Sequence, residues 1–108
     1  MIVAGINIDT DKDGYLKHLD DWSPKVAEAL AASEGISLTA AHWEIIQLLR
    51  DFYQEFQLSP AMRALVKRTA QIYGEEKGRS IYLMSLFPPS PARIASKIAG
   101  LPRPANCL

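Results

Sequence analysis

The 108-residue chain has one cysteine, Cys107, and only two histidines, His18 and His42. A single cysteine excludes an internal disulfide framework and gives no sign of an oxidising compartment. One thiol, two distant histidines and no tight carboxylate cluster make no recognisable zinc site, so neither a metal nor a cofactor is expected. No apolar run approaches the ~18 residues that cross a bilayer. The opening stretch, MIVAGINIDTDKDG, is acidic and short in apolar length, unlike a secretory signal. There is no G-x-S-x-G, P-loop or Rossmann glycine pattern. Gly74 and Gly78 flank Glu-Glu-Lys and read as a turn, not a phosphate cradle. With 48% hydrophobic and 22% charged residues, the chain has enough apolar material for one core, and a cytoplasmic, non-membrane protein is expected.

Net charge is zero, but the charge is unevenly placed. Residues 1–58 hold 4 lysines and arginines against 10 aspartates and glutamates, and residues 59–108 hold 8 against 2. Two readings stand: a basic half that meets an acidic partner, or a dipole that neutralises itself within the fold.

The pattern along the chain predicts an α+β, mainly helical domain. A hairpin is expected at the N-terminus, from IVAGINI and YLKHL, with Asp13-Gly14 as its turn. Ser23-Pro24, Ser59-Pro60 and Ser90-Pro91 each offer an N-cap followed by proline, the usual chemistry of a helix start. Val26, Ala27, Leu30 and Ala31 form the stripe of the first helix, which Gly35 closes. A second helix starts at Thr39, its stripe running through Trp43, Ile46, Leu49, Phe52, Tyr53 and Phe56. This is the strongest amphipathic pattern in the chain and the expected central helix. A third carries Met62, Leu65, Val66, Ala70 and Tyr73 and ends at Gly74. A short helix over Ser80–Leu86 is broken by Pro88 and Pro89, and a last one runs to about Ala99. The remainder, LPRPANCL, is too rich in proline for helix or central strand. The expected division is therefore a domain over 1–99 and an extended C-terminal arm over 100–108.

Cys107 is the candidate for chemistry. A buried cysteine is usually a small core residue, but beyond two prolines and next to last in the chain it is expected to be exposed. Seven residues from Gly100 give the arm a reach of roughly 23 Å when extended. The carboxylate of Leu108 opposes thiolate formation, and a free thiol has a pKa of about 8.5. The tail therefore suits a carrier activated inside its partners better than a stand-alone enzyme. Arg93 and Lys97, four apart on the last helix, and Arg103 on the arm are candidate partner-docking residues. Arg63, Lys67 and Arg68 supply a second basic face, which with the preceding helix could be a helix-turn-helix. Zero net charge argues against DNA binding, and no specific DNA partner is expected.

The tracts Gly14-Tyr15-Leu16, EGI-LT--HWEII--LRDFY-EF--SPA-R-LVK, GEEKG-S-YL--LFP--PA and KIAGLPRPANCL resemble the DsrC/TusE/DsvC family over almost the whole chain. The most specific part is the ending Gly100-Leu101-Pro102-Arg103-Pro104-x-x-Cys107. The resemblance implies a small domain with a helix-turn-helix-like pair as scaffold and a flexible C-terminal arm. DsrC-type members carry two arm cysteines; the upstream one falls on Ser96 here, which excludes two-cysteine redox chemistry within this chain. The single cysteine, GEEKG and SKIAGLP look closer to the TusE-type branch. That branch implies a sulfurtransferase in a sulfur relay. It would accept persulfide sulfur on Cys107 from a TusBCD-like complex and pass it on with an MnmA-like thiouridylase to the wobble uridine of tRNA. The alternatives are a single-cysteine DsrC-like protein of sulfur oxidation or sulfite reduction, and a non-catalytic helix-turn-helix binding protein.

Overall fold

The computed structural model describes residues 1–105. It is mainly helical, with a two-stranded hairpin of β1 (Ile2–Val3) and β2 (Ile6–Asn7) followed by five helices. The hairpin is smaller than expected and its turn lies elsewhere. Ala4 and Gly5 both take positive φ, 51° and 82°, as a two-residue turn matched to strand twist requires. Asp13-Gly14 closes a separate loop, in which the Asp11 carboxylate accepts from the amides of Asp13 and Tyr15. Only an isolated bridge, Thr10 to Leu16, joins its two sides.

Helices α1 (Pro24–Ser33), α2 (Ala40–Phe56), α3 (Met62–Tyr73), α4 (Ser80–Leu86) and α5 (Pro91–Ile98) follow. Ser23 caps α1 as expected, its Oγ accepting from the Val26 amide at 3.2 Å. Thr39 starts α2 in a capping box with His42, whose Nδ1 accepts from the Thr39 amide at 3.0 Å. The other ring nitrogen, Nε2, therefore carries the proton and donates to the Leu86 carbonyl at 2.8 Å. His42 is thus a structural bridge between α2 and α4.

Two expectations are corrected. The buried face of α2 is made by His42, Ile45, Ile46, Leu48 and Leu49, while Phe52 and Tyr53 are half-buried and Phe56 is exposed. The aromatic stripe thus leaves the core in the last turns of the helix. The centre of the fold is α5, which packs against α1, α2, α3 and α4. Its small residues Ala92, Ala95 and Ser96 let neighbours approach closely, and Ile94 and Ile98 fill the space between them. Because α5 is central, the chain that follows it emerges from the middle of the molecule.

Candidate functional site

The root of the arm is held, not loose. A helix leaves its last four carbonyls without intrahelical partners, and at the end of α5 all four are met. The amides of Leu101 and Gly100 donate to the carbonyls of Ser96 and Lys97, both at 3.0 Å, which is the Schellman pattern. Trp22 Nε1 donates to the Ile98 carbonyl at 2.9 Å, and Arg50 Nη1 donates to that of Ala99 at 2.7 Å. Gly100 takes φ of 75°, and any side chain there would overlap the Trp22 ring. The reversal thus needs glycine for its dihedral and for its space.

Beyond Gly100 the grip continues. Leu101 and Pro104 are buried. Ser59 Oγ donates to the Pro102 carbonyl at 2.5 Å. Ser59 was expected to cap α3, but that helix starts at Met62 with Ala61 as its N-cap, and the hydroxyl is used 43 residues away instead. Arg103 is ion-paired with Asp13. A cavity of about 270 Å³ lies where the described chain ends, lined by Tyr53, Leu58, Ser59, Ala61, Pro102 and Ala105. Cys107 itself lies outside the described residues.

The three basic candidates converge on Tyr15, a buried ring on the N-terminal loop. Its hydroxyl donates to the Arg93 carbonyl at 3.2 Å. Lys97 Nζ lies 5.5 Å and Arg103 Cζ 5.1 Å from its ring centroid, within reach of cation–π attraction. They differ in availability. The Lys97 side chain is 12% exposed, and its Nζ bonds Glu34 at 2.6 Å, so this charge is neutralised inside the fold. Arg103 is half-exposed and spends its charge on Asp13. The hydrogen bond from Arg103 holds the Asp13 carboxyl below its ordinary value, and the same bond raises Arg103. Arg93 is exposed and has no ion-pair partner among the described residues.

The uneven charge of the sequence has a structural answer. Lys77–Glu44, Lys97–Glu34, Arg68–Glu55 and Arg103–Asp13 each join a cation of the second half to a carboxylate of the first. Much of the dipole is therefore neutralised within the fold. Ser96 is fully buried in α5 and does not lie on the arm; its Oγ has no hydrogen-bond partner among the described residues. Pattern reading also missed Trp22, Arg50 and Ser59. Trp22 and Arg50 bond the end of α5 and Ser59 bonds the arm, all across the fold, and the LRDFY and SPA tracts that resemble the family hold Arg50 and Ser59.

A family model described as "DsrC like protein" matches residues 2–108. The chain belongs to the DsrC-like family. It is 59% identical over 108 residues to "Sulfurtransferase TusE" of Yersinia pseudotuberculosis, covering 100% of both chains. A "Sulfurtransferase TusE homolog" of Haemophilus influenzae is 55% identical over 106 residues, covering 98% of this chain and 97% of that one. Among solved structures, DsrC of Allochromatium vinosum matches with a TM-score of 0.91 at 45% identity, over 100% of this chain and 96% of the other. The DsrC-like fold thus extends through the arm root described above. Among the described residues no helix is long and apolar enough to cross a membrane, and no group of side chains could hold a metal ion.

Proposed function

We propose that this protein is a sulfurtransferase that carries persulfide sulfur on Cys107 in a sulfur relay serving 2-thiolation of the wobble uridine of tRNA. Full-length identity of 59% to a protein named sulfurtransferase TusE carries the reading. The Gly100–Cys107 ending, with a single thiol, supplies the chemistry. The Cys107 thiolate attacks the outer sulfur of a donor persulfide. A bond forms between Cys107 Sγ and that sulfur, the donor's sulfur–sulfur bond breaks, and its electron pair leaves on the donor cysteine as a thiolate. The outer sulfur keeps its proton. The step is redox-neutral and parallels thiol–disulfide exchange. The donor is a TusBCD-type complex, and the acceptor is an MnmA-type thiouridylase with its tRNA. Arg93 and Arg103 border the arm root and would guide docking; Lys97 supports that face from within.

Intact-mass measurement after incubation with glutathione persulfide tests the carrier step. The expected result is one added sulfur atom on the native chain and none on Cys107→Ser. Addition to the variant, or none to the native chain, overturns it. Cells lacking the protein are expected to lose wobble 2-thiouridine. Normal levels there would favour the second reading, a DsrC-like role in sulfur oxidation or sulfite reduction; likeness to a protein described as the gamma-subunit of dissimilatory sulfite reductase, from Archaeoglobus fulgidus, favours its sulfite-reduction form.

A further inference from the structure

Arg50 is an unusual residue to find at the end of α5. Partial burial pulls its guanidinium below the ordinary arginine value, and no carboxylate pairs with it among the described residues. Instead its Cζ stacks 3.8 Å from the centroid of a Trp22 ring, and one nitrogen donates to the Ala99 carbonyl. Desolvating a cation costs free energy that a single carbonyl and an aromatic face offset only in part. The Gly100 turn meets the Ser96 and Lys97 carbonyls, and Arg50 meets that of Ala99. Arg50 also adds direction. Trp22 comes from the loop before α1, Arg50 from α2 and Ser59 from the α2–α3 connection, and their donors converge on the carbonyls of residues 98, 99 and 102. Three donors from three separate segments over-determine the path of five residues.

Building on the carrier reading, we propose that Arg50 and Ser59 are positioning residues for the protein-to-protein sulfur transfer. They fix where the chain leaves the body, beside the cavity between Tyr53 and Ala61. The backbone is bonded to the body as far as Pro102, which leaves five residues of chain, a reach of at most roughly 17 Å, against roughly 23 Å for the seven residues counted from Gly100. A donor docked on the body then meets an arm that leaves it from one point and in one direction. A misplacement of about 1 Å can cost up to ~100-fold in rate.

The test compares Arg50→Met, Arg50→Lys and Ser59→Ala with the native chain on two sulfur donors. One is glutathione persulfide, which finds the thiol wherever it is. The other is a TusBCD-type complex charged with persulfide sulfur. The expected result for Arg50→Met and Ser59→Ala is a fall in kcat of about tenfold or more with the protein donor. KM is expected to stay within about twofold, as is acceptance from glutathione persulfide. Arg50→Lys, which keeps a donor to Ala99, is expected to recover most of the loss. An unchanged kcat with the protein donor, an equal fall with both donors, or a change confined to KM would each overturn the proposal. If far-UV circular dichroism shows Arg50→Met unfolded, Ser59→Ala decides alone. Sulfur accepted by Cys107→Ser would sink the carrier reading instead, and so separates the two failures.

Discussion

Helices α3 and α5 carry basic residues at the same spacing, Arg63 and Lys67 on one, Arg93 and Lys97 on the other, yet they put them to different use. On α5 the second of the pair turns inward, shielded by Tyr15 and bonded to Glu34. On α3 both are exposed, and neither has an ion-pair partner among the described residues. The difference follows from position. Helix α5 sits among four others and has little surface to give, so a long side chain on it must find a partner within the fold. Helix α3 has an open side. The same four-residue step is therefore part of the framework on one helix and a solvated face on the other.

The comparison can be broken most severely at the end of α5. Gly100→Ala forces a left-handed dihedral on a residue with a side chain and drives that side chain into Trp22. A loss of about 3 kcal/mol is expected, from roughly 1–2 for the dihedral and the rest for overpacking. Chemical denaturation measures it, and a loss under ~1 kcal/mol would mean the Trp22 contact relaxes freely. Next, Lys97→Met leaves Glu34 partly buried without its partner, for an expected loss of about 1–2 kcal/mol. Arg63→Met and Lys67→Met should each stay within about 0.5 kcal/mol. Equal effects on the two helices would erase the contrast drawn above.

A smaller effect, of opposite sign, is expected at Ser96. Removing a buried hydroxyl without a partner should stabilise the fold by up to about 1 kcal/mol, so Ser96→Ala should raise the denaturation midpoint. A clear loss would reveal a bond to the hydroxyl. The gentlest probe is acid. Asp13 has a lowered folded pKa, so its pairing with Arg103 contributes fully above the unfolded carboxylate value of about 3.9. That contribution fades as pH falls through the lower folded value. Following the Asp13 carboxyl by NMR should place its midpoint below about 3.9, and Arg103→Met should return it to the ordinary value. An unmoved midpoint would mean the pair does not persist in solution.

The same contrast marks how far pattern reading carried. The starts of α1 and α5 were legible from proline at the first position and that of α2 from Thr39, because these are local signals readable within a few residues, although the Ser90 side chain makes no cap bond. Ser59 misled because its hydroxyl answers to Pro102, 43 positions on, and no local rule sees that far. Lys97 was placed on the docking face because its partner Glu34 lies 63 residues away. The centrality of α5 was missed for a related reason. Small residues make close packing possible, but they weigh little in any count of hydrophobic period beside the aromatic residues of α2. At the candidate site, the family-specific ending marked Cys107 and Gly100, while the side chains that grip the arm root come from three distant segments.

The hold of Ser59 and Arg50 on the root has a consequence best expressed as concentration. Five residues lead from Pro102, the last one bonded to the body, to Cys107, and seven lead from Gly100, so the limits of reach are roughly 17 Å and 23 Å. The volumes differ by roughly 2.5-fold, and so does the local concentration that a docked donor experiences. A few hydrogen bonds to backbone carbonyls thereby raise how often a partner's persulfide and this thiol meet once the two proteins have touched.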